Sequence, residues 1–277
     1  MNTVVNILQI DVEDWYCDLD PVEWRKHEPR VETATKKVLS ILRETENQAT
    51  FFVLGHVAEK FPGLIAKIDS EGHEVASHGY SHRRVSDQTP GEFEEDVKKS
   101  IAILEGITGK KVKGYRAPQF TVMKETLWAL DILKKQKMEY DSSIFPVKTP
   151  LYGIPDAPLF PYVINSQENG YGHGLTEVPL SVYKLPILGK NIPVAGGFYF
   201  RFFPYFFLSY ALRKLNRKGN IAVCYMHPWE LDPGKPRVEG LKWYHYYRLS
   251  AMEEKFRKLT RDFRFISTRE WIKNERG

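Results

Sequence analysis

The stretch Glu74-Val75-Ala76-Ser77-His78-Gly79-Tyr80-Ser81-His82 decides how this chain is read. A short β-prone run, Glu74 to Ala76, leads into two histidines four residues apart. On a helical turn, positions i and i+4 share a face, so both imidazoles can reach one point. Two such nitrogens and a carboxylate, with one position left open, form a catalytic zinc-type shell. Taken alone, a His-x-x-x-His pair reads more readily as two unrelated surface histidines. Here it has company. Asp11-Val12-Glu13-Asp14 closes an early apolar run, and a late apolar run ends in His227.

Working outward, Val4 to Ile10 and Ala49 to Leu54 read as buried strands. Val31, Ala34, Val38, Ile41 and Leu42 have helical spacing. Val57 to Ile68 reads as a helix with an interruption at Pro62, stopped by Gly72. Thr89-Pro90-Gly91-Glu92 opens another helix with a capping box and proline at the first helical position. Gly114 to Arg116 is a short strand, Thr121 to Leu133 a helix, and Lys137 to Asp141 a strand again. Strand and helix alternate at short intervals, which predicts a parallel sheet of the barrel kind.

From Ser142 to Gly197 that rhythm breaks. Pro146, Pro150, Pro155, Pro158 and Pro161 are followed by Gly170, Gly172 and Gly174, with Glu177 to Tyr183 the best strand candidate. Loops of this length in a compact domain are usually functional or mobile. Phe198 to Leu212 is dense in aromatics. It reads as a core helix, with a cleft wall or contact with a membrane surface as the other readings. Ile221 to Met226 is a strand ending at His227, Tyr247 to Leu259 an amphipathic helix, Phe263 to Ile266 the last strand, and Ser267 to Glu270 opens the terminal helix. No internal repeat or low-complexity tract interrupts the chain.

At 277 residues and 42% apolar, the chain can bury a real core in one large α/β domain. Its two cysteines, Cys17 and Cys224, make no disulfide framework. The net charge of +5 comes from interspersed residues of both signs, which argues against nucleic-acid binding. No charged-then-apolar leader is recognisable and no run is long enough to span a bilayer, so the cytoplasm is the expected compartment. Peripheral membrane contact stays open, and the oligomeric state is not readable.

In a parallel α/β barrel, reactive groups come from the C-terminal ends of several strands. Four strand ends carry them here: Asp11, Glu13 and Asp14; His78 and His82; Arg116; and His227. With a divalent ion on the histidine pair and a carboxylate, Asp11 can take a proton and His227 can return one. That is the constellation for metal-assisted hydrolysis. Each residue has a plainer reading, Arg116 as a surface arginine and His227 as a satisfied core histidine, but the plain readings must all coincide.

These strings resemble the polysaccharide deacetylase family, the NodB-homology group or carbohydrate esterase family four, and within it the branch linked to exosortase-type exopolysaccharide clusters. The resemblance runs from Ile10 to about Trp271. It implies a distorted (β/α)7 barrel, a single domain over residues 1–277 with an inserted loop region at about 142–197. It also implies removal of acetyl groups from an N-acetylated sugar of a polysaccharide or glycolipid precursor, with a divalent metal, zinc favoured. By likeness Asp11 is the base and His78 and His82 are ligands. Arg116 orients the base, with a backbone N–H near Gln119 facing the developing oxyanion. Asp141 pairs with the acid histidine, His227. A same-fold hydrolase of a non-sugar amide, such as a cyclic ureide, and a silent carbohydrate-binding relative are the alternatives.

The third ligand is left between two residues. The family pattern has adjacent aspartates, whereas this chain has Asp11-Val12-Glu13-Asp14. If the strand stays regular to residue 13, alternation puts Asp11 and Glu13 on one face and favours Glu13. If it ends earlier, the shorter arm of Asp14 favours Asp14.

Overall fold

This computed structural model describes residues 4–149, 151–164, 172, 174–184 and 190–276. Pro150 and Gly170, two markers of the irregular stretch, lie outside the described residues. The chain packs as two compact units, Met1–Phe51 with Ser70–Glu74 and Val194–Gly277, and Phe52–Asp69 with Val75–Pro193.

In chain order the elements are β1 (Asn6–Val12), α1 (Val31–Glu44), β2 (Thr50–Val53), α2 (Gly55–Lys60), α3 (Pro62–Ser70), β3 (Glu74–Ser77), α4 (Pro90–Thr108) and β4 (Gly114–Tyr115). Then come α5 (Trp128–Lys135), β5 (Tyr140–Asp141), β6 (Tyr162–Val163), β7 (Thr176–Glu177), β8 (Val182–Lys184) and β9 (Asn191–Pro193). The chain finishes with α6 (Gly197–Phe202), α7 (Tyr205–Arg217), β10 (Val223–Met226), α8 (Met252–Asp262), β11 (Phe265–Ile266) and α9 (Thr268–Arg276).

In the first unit every residue of β1 is buried, as expected of a strand covered on both faces. It runs parallel to β10, with Ile7 opposite Val223 and Ile10 opposite Met226, and parallel to β11, with Asn6 opposite Phe265. The helical spacing in α1 buries Val31, Ala34, Val38, Ile41 and Leu42, as read from the sequence, together with Leu39. No side chain of its N-cap, Arg30, caps α1. Buried aliphatic side chains contribute about 1.5–3 kcal/mol each, so this stripe outweighs any cap.

The aromatic run expected as one helix forms two, because Pro204 ends α6 and becomes the N-cap of α7. The helix expected from Tyr247 starts later, at Met252, after a single 3₁₀ turn whose cap, Arg248, has φ of 51°. Chain re-entry beside β10 depends on glycine. Gly196 bridges to Tyr225, and a Cβ on Gly196 would lie 1.6 Å from the Tyr225 carbonyl oxygen.

In the second unit β3, β4, β5 and β7 pair in parallel sequence, and β6 joins β7 antiparallel. The alternating rhythm therefore yields the parallel sheet it predicts. Strands β8 and β9 form a separate antiparallel pair. The expected capping box of α4 is present. Thr89 Oγ1 accepts from Glu92 N at 3.3 Å, and Glu92 Oε2 accepts from Thr89 N at 2.8 Å. Two expectations shift. The helix expected from Thr121 begins at Trp128, because the Thr121 hydroxyl is spent on Pro118 O at 2.8 Å and on the Val85 N–H at 3.0 Å. The strand expected over Glu177 to Tyr183 is split into β7 and β8, with Pro179 in the gap.

Candidate active site

The first unit supplies the acidic cluster and His227. Asp11 is the penultimate residue of β1, and the strand ends at Val12. The Glu13 N–H then turns back to Asp11 O at 3.1 Å, so the strand does not stay regular to residue 13. Asp11, Glu13 and Asp14 are all buried. Their surroundings differ. Asp14 Oδ1 accepts from the N–H groups of Trp15 (2.9 Å) and Arg30 (3.1 Å), and Oδ2 from those of Arg30 (3.0 Å) and Val31 (3.2 Å). Val31 is the first residue of α1, so the Asp14 carboxylate satisfies the N–H groups that the helix start leaves open. Glu13 Oε1 accepts from the indole N–H of Trp229 at 3.1 Å.

His227 follows β10 directly. Its Nε2 lies 3.7 Å from Glu13 Oε1 and 3.9 Å from Asp11 Oδ2. Its Nδ1 is 2.8 Å from Glu230 Oε1, and its ring stacks on Trp229 at 5.0 Å. Burial alone would lower the imidazole pKa. The charge of Glu13, the bond to Glu230 and the charge of Asp11 overcome it and push it up to about 9. Burial likewise pushes Glu230 up, but the charges of Arg201 and His227 prevail and hold it at about 2. Glu230 Oε2 meets Arg201 Nε at 2.8 Å, both side chains buried. Glu230 thus occupies the Nδ1 side of His227, the position that the resemblance gives to Asp141.

The second unit supplies the histidine pair. The pair is not on a helix. His78 to His82 form an irregular bend after β3, with Gly79 at φ of 73° and His82 at φ of 54°. The carboxylate of Asp96, on α4, clamps the bend, accepting from Tyr80 N at 2.7 Å, from Ser81 N at 3.2 Å and from the Ser81 hydroxyl. Glycine at 79 suits both the left-handed backbone and the space, since a Cβ would lie 2.8 Å from Asp96 Oδ2. The two rings are 5.5 Å apart. His78 Nδ1 sits 2.8 Å from the Arg116 carbonyl oxygen. A carbonyl can only accept, so Nδ1 carries the hydrogen and Nε2 keeps the lone pair that a metal would need.

Arg116 is fully buried after β4. Its Nε donates to Ser142 O at 3.0 Å, one terminal nitrogen to the Ser142 hydroxyl at 2.9 Å, and its guanidinium lies over Phe52 at 4.4 Å. Gln119 and Phe120 both have positive φ, 54° and 55°, a rare pair of strained residues where the resemblance places the oxyanion contact. Asp141 accepts from the Ser143 hydroxyl at 2.5 Å, and the same hydroxyl accepts from Ala117 N at 2.8 Å. Burial pushes Asp141 up to about 6. Burial and the charge of Asp141 push its hydrogen-bonded neighbour Glu177 well above the ordinary range, so Glu177 keeps the pair's proton.

Glu13 in the first unit and His78 and His82 in the second are all buried. Two imidazoles and a carboxylate are a donor set that fits a divalent ion with open positions. Sequence reasoning missed Glu230, Arg201, Trp229 and Glu177. The first had a signal: His227-Pro228-Trp229-Glu230 repeats the capping-box pattern seen at Thr89-Pro90-Gly91-Glu92.

Comparison with known proteins now places the chain. Residues 24–140 match polysaccharide deacetylase, and residues 142–273 match a domain of unknown function, DUF3473. A peptidoglycan-N-acetylglucosamine deacetylase of Bacillus cereus is 35% identical over 98 residues, 35% of this chain and 36% of that protein. The match thus spans little more than a third of that relative's length. Among solved structures, a protein of Mycobacterium smegmatis assigned to the polysaccharide deacetylases aligns over 100% of this chain and 95% of its own, with a TM-score of 0.65 and 20% identity. A CE4-family pseudoenzyme of Bacillus anthracis aligns over 97% of this chain and 65% of its own, with a TM-score of 0.52 and 15% identity. These structural likenesses are of fold, and the fold is the distorted (β/α) barrel of that type. The likeness to polysaccharide deacetylases is carried by residues 24–140.

Proposed function

We propose that this protein is a metal-dependent hydrolase that removes acetyl groups from N-acetylated sugars of a polysaccharide or glycolipid precursor. The observation that carries the reading is the buried His78–His82 pair on the bend after β3, with ring centres 5.5 Å apart and His78 Nδ1 held by the Arg116 carbonyl oxygen. The match of residues 24–140 to polysaccharide deacetylases and the likeness to a peptidoglycan-N-acetylglucosamine deacetylase of Bacillus cereus support the substrate class. Zinc suits two imidazoles and one carboxylate. Residues 1–277 are read as one catalytic module in which residues about 142–197 interrupt the strand–helix rhythm. The two family matches meet where that stretch begins.

A divalent ion on His78, His82 and Glu13 would polarise the acetyl carbonyl and make water more acidic. The chain's own groups do the rest. Asp11 takes the proton of the attacking water. His227, charged at neutral pH and held by Glu230, gives a proton to the departing amine nitrogen. The strained backbone at Gln119, just after Arg116, offers the N–H that faces the developing oxyanion. Asp141 acts through Ser143 on the backbone after Arg116, as a positioning residue.

The test is acetate release from N-acetylglucosamine oligomers by zinc-loaded protein, compared with His78→Ala and His82→Ala. Release by the parent and loss in both variants is the expected result. A parent that binds one equivalent of zinc yet releases no acetate from any N-acetylated oligomer would make it a silent relative.

A further inference from the structure

We propose that the outer face of α6 and α7 docks on a lipid bilayer rich in anionic headgroups. The interface residues are Phe202, Phe206 and Tyr210, with Trp243 beside them and Arg213, Arg217 and Lys218 behind.

Amphipathic surface helices ordinarily bury an apolar stripe and present a polar one. Helix α7 buries Leu208, Ala211 and Leu212, as that rule requires. Its opposite face is not polar. Phe206 is 74% exposed and Tyr210 50%, with Phe202 of α6 at 46% and Trp243 at 66%. Phe206 and Tyr210 are four apart, and Arg213 and Arg217 continue the same line at the next two turns. Trp243 meets Phe198 at 5.6 Å, Phe198 meets Phe202 at 5.7 Å, Phe202 meets Phe203 at 5.2 Å, and Phe203 meets Phe207 at 5.0 Å. Trp243, Phe198, Phe202, Phe203 and Phe207 are thus connected ring to ring, and exposed Phe206 stands next to Phe207 in sequence, whereas scattered single exposures would call for no explanation.

Charge decides between occupants. No Asp or Glu occurs between Glu177 and Glu230, while Arg201, Arg213, Lys214, Arg217 and Lys218 fall in that interval. Arg201 is spent inward on Glu230, and Arg213 is shared with Asp262 at 3.3 Å. Among the described residues, no carboxylate pairs with Arg217 or Lys218, both exposed at the C-terminal end of α7. Aromatic rings beside a run of lysine and arginine match the interfacial depth and the negative surface potential of an anionic bilayer. A neutral sugar surface would use the rings and have no need of the cations. Among the described residues no helix is long and apolar enough to cross a membrane, so the contact is peripheral.

The test is co-sedimentation of the full chain with vesicles of pure phosphatidylcholine and of phosphatidylcholine with 30% phosphatidylglycerol (about the anionic fraction needed to give a strong surface potential). Binding to the anionic vesicles, weakened by salt, is expected. Phe206→Ser with Tyr210→Ser, and separately Arg217→Glu with Lys218→Glu, should each lower partitioning by about tenfold or more. All four positions are exposed, and unchanged thermal unfolding will show that the variants fold. If the parent ignores anionic vesicles at low salt, or both double variants bind as the parent does, the proposal is wrong. It is equally wrong if the aromatic variant loses retention on N-acetylated polysaccharide while vesicle binding is unchanged. None of these residues belongs to the proposed catalytic set, so the result does not depend on the hydrolase reading.

Discussion

Glu230 accepts the Nδ1–H of His227 at 2.8 Å from a fully buried position, and its second oxygen neutralises Arg201. Breaking a buried ion pair from one side costs roughly 3–5 kcal/mol, because the remaining charge loses its partner. Glu230→Gln should therefore lower stability by about 3 kcal/mol in chemical denaturation. It should also reduce kcat about tenfold or more, since the acid histidine loses the charge that keeps it protonated. An unchanged denaturation midpoint would show that Arg201 does not rely on this carboxylate.

The carboxylates after β1 can be told apart. Glu13→Ala should strip zinc from the purified protein, as measured by metal analysis. Asp14→Ala should keep its zinc and instead lose about 1–3 kcal/mol of stability, because the N–H groups of Arg30 and Val31 at the start of α1, and that of Trp15, lose their acceptor. Zinc loss in Asp14→Ala with full retention in Glu13→Ala would reverse the assignment.

Asp11→Asn preserves shape and removes the proposed proton acceptor. The expected outcome is a fall in turnover of about 10²–10⁴-fold with zinc content unchanged. Near-parental turnover would require a different base.

His73 offers a pH test far from the chemistry. Burial, with Arg43 adding to it and Glu71 opposing it, holds the imidazole at about 4 in the fold, below its ordinary 6.5. The folded ring therefore stays neutral while the unfolded one protonates. Its contribution is fully present above about pH 6.5, is lost as pH falls towards 4, and changes no further below that. The loss across that window is roughly 3 kcal/mol. Urea denaturation of His73→Gln at pH 7 and pH 4.5 should show a smaller acid penalty than the parent. Equal penalties would remove His73 from the account.

Strand ends were the legible part of this chain. Apolar runs stopping at Asp11, His78 and His227 pointed to the residues the structure brings forward, because a strand shows in its own local composition. The histidine pair was legible as a pair but not as a bend. Its geometry depends on Asp96, a residue on another element whose role no local spacing reveals. Asp14 looked like a ligand because its other duty lies some sixteen residues further on, at the start of α1. Glu230 was legible in principle, since the pattern that marked the start of α4 recurs at His227. Glu177 was not, because its partner Asp141 lies across an irregular stretch whose path no periodicity encodes.

The placement of β1 has a consequence for how the molecule is made. This strand is synthesised before its parallel partners β10 and β11, which follow only after about 200 further residues of translation. Until then those hydrogen-bonding edges and the apolar side chains along them wait without their native neighbours. Pairings that close so long a loop are slow and leave the nascent chain open to aggregation. Shortening the chain before Phe265 would leave that wait without an end.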